Sequence, residues 1–335
     1  METVELALEE IYGLGYDALF AAGADGANAA AVAETVMRAE RDGAAAHGLF
    51  RIPGYAAGLQ SGKVSGCADP RPHVSGSVVR CDGQNGYAPL ALERCAAPLA
   101  DAALQNGVAV LALTRSHHFA ALWRETESLA ERGVAALACV CYTPAVAPAG
   151  GKSALFGTNP ISFAWPRPNY PPVVFDMATA ALAKGEVQIA AREGKALPPG
   201  CGLDSSGAPT TDAAEVLRGV LLPFGGYKGS ALAMMAEFLA AGLIGENFSF
   251  EAAAKDNKDG APPRGGELII ALSPQVLSGD NWEAHAESFI EKMSAMPGVR
   301  LPGARRHENR KNAGARAVNA ELVKNIRKLA AEKGA

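Results

Sequence analysis

Several things are missing from this chain, and each absence removes a class of protein. The six cysteines (Cys67, Cys81, Cys95, Cys139, Cys141, Cys201) form no C-x-x-C pair, and the acidic start METVELALEE has no apolar core of the signal-peptide kind. The expectation is a cytoplasmic protein with reduced thiols. Charge or glycine breaks every apolar stretch well short of the ~18 residues a membrane span needs, so no membrane partner is expected. Excess positive charge is lacking too: the formal charge of −4 and a pI near 5.9 give a nucleic-acid partner no electrostatic support. There is no H-E-x-x-H helix and no evident third ligand beside His117 and His118, so no metal is expected. The one G-x-G-x-x-G/A string, Gly13, Gly15 and Ala18, follows ELALEEIY, a helix former where a dinucleotide fingerprint needs a strand. It reads as a helix-ending turn.

What is present fits a soluble globular enzyme of one large or two interleaved domains: 335 residues, 49% apolar and 20% charged, with 37 Gly and 21 Pro spread along the chain. Charge is uneven, since residues 299–335 hold ten Lys/Arg against three Glu, a pattern that reads first as a solvated helix face.

Val4, Leu6, Leu8 and Ile11 read as the opening of one helix, and Val32, Val36 and Ala39 recur at helical spacing in the next. From Val78 onward short β-rich runs alternate with helices. VVRC, VAVLAL, VAALACVCY, ISFAW, VVFDM and ELIIAL are strand candidates, with helices near 89–105 and 119–132 between them, which argues an α/β fold. The helix from Lys228 to Leu243 is apolar nearly all round and is expected to be buried. Residues 197–209 are Gly/Pro/Ser-rich and read as an exposed excursion. Leu322, Val323, Ile326 and Leu329 form a stripe behind Asn319, a candidate N-cap, and such a helix should dock on the N-terminal helices.

His47 precedes a helix expected to begin near 48–50, since Pro53 suits a first turn. Arg51, one turn on, would set a carboxylate-binding fork beside a proton-transfer group. His117 and His118 close a strand just before a helix expected from Phe119, where free N–H groups could receive a phosphate or carboxylate. Thr158 and Asn159, the run from Asp176 to Thr179, and Gly225–Gly229 with Lys228 put small residues, an amide, an acid and a lysine at element ends, where a flat cofactor could approach the backbone. Glu186 adds a carboxylate on the helix after Asp176.

Taken together and in order, AAAHGLFRIPGY, SHHFAALW, LFGTNPISFAWP, VVFDMATAALAKGEVQIAAREGKALPPG, LLPFGGYKGSALAMM and RLPGARR resemble the malate/L-lactate dehydrogenase-like oxidoreductases, which are unrelated to the Rossmann lactate dehydrogenases. The resemblance runs from about Arg38 to Arg310. HHFAALW, VQIAAREG, LLPFGG-x-KGSAL, GENFSFE and LPGARR are most similar to the NADPH-dependent reductases of Δ1-piperideine-2-carboxylate and Δ1-pyrroline-2-carboxylate, which form L-pipecolate and L-proline. The resemblance implies a non-Rossmann α/β fold. Residues 1–75 and 300–335 would build a helical part, residues 76–299 would form a cofactor-binding domain around a central mixed sheet, and the chain would be a homodimer.

For the site, the resemblance implies His47 as proton donor, Glu186 in the place of a relay Asp, and Arg51 as the carboxylate clamp. The family's relay Ser is Ala46 here, which has no hydroxyl. In other family members the acid/base histidine corresponds to His117 or His118, so the choice between His47 and that pair stays open. Implied cofactor contacts are His117, His118, Phe119, Ala120, Ala121, Leu122, Thr143, Thr158, Asn159, Asp176, Met177, Ala178, Lys228, Gly229, Gly303, Arg305 and Arg306. Two other readings remain: a 2-keto acid reductase or 2-hydroxy acid dehydrogenase on the same scaffold, and a non-catalytic ligand-binding homologue.

Overall fold

The computed structural model describes residues 2–117 and 120–332. The chain opens with a strand, β1 (Thr3–Leu6), followed by α1 (Leu8–Ala21), α2 (Gly26–Arg41), two 3-10 turns (Ala45–His47 and Leu49–Arg51) and α3 (Ile52–Gln60). Val4 and Leu6 are therefore extended and not helical. Their strand pairs antiparallel with one near the other end of the chain, Thr3 opposite Asn319, a partner too distant in sequence to leave a local signal. Gly13 and Gly15 lie inside α1 and do not end it, with Gly15 buried against Ala33 and Ile52.

β2 (Pro72–Ser75), β3 (Val78–Asp82), α4 (Ala88–Asn106), β4 (Val108–His117), α5 (Trp123–Ala130), β5 (Ala135–Val140), β6 (Ile161–Trp165) and β7 (Val173–Met177) come next. After them run α6 (Lys184–Glu193), β8 (Gly202–Leu203), β9 (Pro209–Thr210), α7 (Ala213–Arg218), β10 (Val220–Leu221), α8 (Tyr227–Glu237), a π-helical turn (Phe238–Gly242) and α9 (Ser249–Ala254). The chain closes with β11 (Arg264–Leu272), α10 (Pro274–Ser278), α11 (Trp282–Ser294), α12 (Ala304–Lys311), β12 (Arg316–Asn319) and α13 (Ala320–Ala331).

Seven strands form the central sheet in the order β2-β3-β4-β11-β5-β6-β7. Among its strand pairs β3 and β4 run parallel, joined over α4, and the others are antiparallel, so the sheet is mixed, as the resemblance implies. Its strands alternate faces with period two. Leu111, Leu113, Ala138, Ile269 and Ala271 pack under α4 and α5, while Cys139 and Leu268 face Ala236 and Ala240 of α8 and the π turn. At the chain ends, Leu6, Ile11 and Leu19 share one core with Val318, Val323 and Ile326, and Asn319 caps α13 by accepting the Leu322 N–H at 2.9 Å.

Two other expectations are corrected. The helix after β7's excursion is not buried all round: Tyr227 (73%), Met234 (47%), Phe238 (58%) and Leu243 (68%) are exposed along one face of α8 and the turn that continues it. Residues 197–209 are not wholly an excursion either, because Leu197, Cys201 and Leu203 are buried and β8 is sandwiched between β9 and β10.

The segment carrying His47 and Arg51 is held from below by Glu40 of α2. Its Oε1 accepts the Leu49 N–H at 2.8 Å, and a Cβ on Gly48 would fall 2.1 Å from that same oxygen, so only glycine fits over the carboxyl. Burial pushes the Glu40 carboxyl up to about 7, against the pull of the Leu49 N–H and the Arg316 charge. The folded chain thus keeps this proton up to about pH 7, while the unfolded chain releases it near 4.5. Stability from this group is full below 4.5 and is lost as pH rises through 7. Glu40→Gln keeps the acceptor and removes the titration. Denaturant unfolding at pH 4.5 and pH 8 should show the wild type losing roughly 3 kcal/mol relative to the variant over that interval; parallel profiles would count against it.

Candidate active site

The two 3-10 turns bring His47 and Arg51 to one cavity of about 390 Å³. The helix expected near residue 48 starts instead at Ile52, with Pro53 in its first turn, because Gly48 (φ −88°, ψ −144°) breaks the path between the two turns. The spacing of four residues still does what the sequence suggests, since both side chains face the same space. Phe50, Tyr55 and Tyr142 give it aromatic wall, and Ala120, Thr143 and Thr158 also line it. Burial lowers the Arg51 guanidinium to about 10, which leaves it charged at neutral pH, and burial raises the hydroxyls of Tyr55 and Tyr142, which stay protonated.

The structure separates the candidate proton groups. His117 is buried, and its Nδ1 donates to the Pro262 carbonyl at 2.9 Å. Desolvation holds its pKa below the usual histidine value, the carbonyl bond opposing, so it is a neutral ring at pH 7 whose N–H is already committed. It braces the Pro262 backbone, itself part of the cavity wall. His118 and Phe119 lie outside the described residues. Glu186 is not in the cavity wall: it is exposed, and its Oε2 accepts the Ala183 N–H at 3.1 Å, capping α6. The residue of α6 that does reach the cavity is Lys184, joined by Gln188 one turn later. Sequence reading missed both, together with Tyr55, Tyr142 and Asp256.

The implied cofactor contacts divide into three groups. Ala120, Thr143 and Thr158 line the cavity. A second group sits at the end of β7: Asp176 Oδ2 accepts the Trp123 N–H at 3.2 Å, Arg306 lies 5.4 Å over the Trp123 ring and donates to Val174 O at 2.8 Å, and Gly303 (φ +86°) turns the chain against Val174. α5 begins at Trp123 and not at Phe119, so its first N–H is taken by Asp176 and does not wait for a ligand. Arg305 and Met177 are exposed in this group. The buried Nε of Arg306 has no partner among the described residues, and with Arg305 it makes a donor set suited to a phosphate-bearing cofactor. The stretch from Ala120 to Trp123 connects this group with the cavity.

Members of the third group do not line the cavity. Leu122 is fully buried in the sheet core, Ala121 packs on the Trp123 cluster and Ala178 on the core near α6. Asn159 is buried at φ +36°, donating to Ala233 O (3.1 Å) and Glu237 Oε1 (2.8 Å) and accepting the Tyr142 N–H (3.3 Å). It positions Tyr142 without lining the cavity. Gly229 lies tight against the backbone, where a Cβ would come 2.4 Å from Phe224 O, and Lys228 is exposed at the start of α8.

With this geometry in view, comparison with known proteins is specific. The malate/L-lactate dehydrogenase family matches residues 6–327. A Δ1-pyrroline-2-carboxylate reductase of Ancylobacter novellus is 44% identical over 316 residues, 93% of each chain. A (2R)-3-sulfolactate dehydrogenase (NADP(+)) of Chromohalobacter salexigens is 40% identical over 92% of each chain. The crystal structure of Δ1-piperideine-2-carboxylate reductase from Pseudomonas syringae superposes with a TM-score of 0.91 at 41% identity, covering 98% of this chain and 100% of that one. The family match over residues 6–327 and the superposition over nearly the whole of both chains have one reading: this chain belongs to the malate/L-lactate dehydrogenase family of oxidoreductases.

Proposed function

We propose that this enzyme is an NADPH-dependent reductase of cyclic 2-imino acids, taking Δ1-piperideine-2-carboxylate to L-pipecolate and Δ1-pyrroline-2-carboxylate to L-proline. The observation that carries the proposal is the convergence of His47 and Arg51 on one partly aromatic cavity, on a scaffold whose relatives bear those reductase names. The nicotinamide, when bound, supplies the hydride for C2. Arg51 holds the substrate carboxylate through its planar fork. Phe50, Tyr55 and Tyr142 flank the flat ring and exclude water. His47 delivers the proton to the ring nitrogen, directly or through solvent, because Ala46 carries no hydroxyl to relay it. Glu186 caps α6 through the Ala183 N–H.

The sulfolactate relative favours a second reading, reduction of linear 2-oxo acids, since an imine and a carbonyl make the same demands for hydride and proton. One screen of NADPH oxidation separates them: cyclic imines should turn over faster than linear 2-oxo acids, and the opposite ranking removes the first reading. In the same assay His47→Ala should lower kcat ~10²–10⁴-fold. Nearly full activity in that variant would move the proton donor to His118.

The preference for NADPH rests on Arg305 and Arg306 beside Asp176 and Trp123. Arg305, exposed and free of the Trp123 stack, is the cleaner of the two to change. Arg305→Ala should weaken NADPH about tenfold more than NADH, the scale of one charge-assisted contact to the 2′-phosphate; equal weakening in a fluorescence titration would make the basic cluster a solvated face.

A homodimer is also part of this proposal. The exposed face from Tyr227 through Ala231, Met234 and Phe238 to Leu243 is one continuous apolar strip, and a second copy related by a two-fold axis covers such a strip with itself. Phe238→Asp should convert the dimer to a monomer in light scattering, and an unchanged mass would place the contact elsewhere.

A further inference from the structure

The cavity holds a second cation with no described counter-charge. Lys184 is the first residue of α6, behind Ala183, and it lines the space shared with His47 and Arg51. Its placement follows from Gly185: a Cβ there would lie 2.8 Å from Arg51 Nη2 and 3.3 Å from Ala46 Cβ, so the start of α6 rests directly on the turn that carries His47 and Arg51. A larger residue at 185 would have to displace the Arg51 guanidinium or press on Ala46.

Charge around the cavity is otherwise accounted for. Lys63, behind the wall, donates to Asp256 Oδ1 at 2.6 Å, to Asp259 Oδ1 at 3.0 Å and to Ala261 O at 3.3 Å. Asp256, the acidic side chain in the described wall, is therefore already paired. No hydrogen bond or ion pair among the described residues reaches the ammonium of Lys184. Burial and the neighbouring Arg51 charge both push its pKa below the ordinary lysine value, with the more distant Asp256 opposing, and the positive end of α6 adds to the same field. A half-buried cation beside another cation is costly in the empty cavity and becomes favourable when a ligand brings an anion.

We propose that Lys184 is a substrate-binding residue, the second arm of the carboxylate clamp. Arg51 takes the carboxylate through its fork and the Lys184 ammonium takes the oxygen nearest α6, so that two cations on different elements fix the plane of the acid and with it the face of C2. A second cation on another element limits how far the bound acid can rock on the guanidinium fork. The inference rests on the reading that the cavity takes a 2-imino or 2-oxo acid. It adds a discrimination that Arg51 alone would make weakly, between an acid and its neutral amide.

The test is calorimetric binding to the full-length protein with pyrrole-2-carboxylate, a planar analogue of the cyclic imines, and pyrrole-2-carboxamide as its neutral match, with oxamate as the analogue of a 2-oxo acid. Lys184→Met keeps the aliphatic stem and should weaken the acid at least tenfold while leaving the amide and NADPH unchanged; Lys184→Arg should restore most of the loss. Should the imino-acid reading fail, oxamate binds where pyrrole-2-carboxylate does not, and the same Lys184 effect is then read on oxamate. Equal affinity of wild type and Lys184→Met for the acids, parallel loss of acid and amide, or a wild type that binds neither acid overturns the clamp. Thermal melting of each variant shows whether it is folded.

Discussion

One guanidinium ties the three parts of this chain together. Arg310 of α12 donates to both oxygens of Asp42 at the end of α2, at 2.6–3.1 Å, and to both oxygens of Glu127 on α5, at 2.6 and 2.9 Å. Asp42 is wholly buried at its side chain and Glu127 nearly so. Burial alone would raise the Asp42 carboxyl, but the hydrogen bonds from Arg310 and Arg41 outweigh it and hold the group below its usual range. Two buried acids sharing one fork leave little freedom, because removing the cation would strip Glu127 of its guanidinium and leave Asp42 to Arg41 alone. The N-terminal helices, the sheet and the C-terminal segment are thereby fixed in one relation, and the first two line the cavity together: His47 and Arg51 from the N-terminal turns, Thr143, Thr158 and Lys184 from the sheet and α6.

The site built on that frame is organised by unequal charge. Arg51 and Lys184 meet at the joint between the 3-10 turn and α6, and the acid within reach, Asp256, is held by Lys63. Aromatic residues fill the rest of the wall, so the cavity presents a cationic corner to an otherwise low-dielectric space. Such a corner orients an acid strongly because the surrounding medium screens little. Glu40, protonated to about 7, adds rigidity beneath the same turn without adding charge.

Much of this was legible in the sequence where the signal is local. VVRC, VAVLAL, ISFAW, VVFDM and ELIIAL are strands because their apolar, β-branched composition and turn-bounded lengths act over a few residues; His47 and Arg51 do share a cavity, but across two 3-10 turns joined at Gly48 and not on one helix. Failures occurred where the deciding partner is remote. β1 is extended only because β12 offers it an edge, and α8 looks like a core helix because an apolar sequence does not say which chain covers it. On α6 the carboxylate of Glu186 drew attention, yet residues two apart on a helix point to different sides, so the wall received Lys184 while Glu186 became the cap. Asn159 and His117 sit among cofactor motifs, but both spend their hydrogen bonds inside the protein.

The pairing of β1 with β12 also sets an order of events. In a growing chain β1 emerges about 310 residues before its partner at residues 316–319, which comes out together with the arginine that joins α2 to α5. Loop closure over nearly the whole length is slow and entropically costly, so the sheet between them has time to form before the ends meet. The turn bearing His47 belongs to the part that waits. The turn that bears His47 and Arg51 is thus completed late, when Arg310 and Arg316 close on the end of α2 beside it.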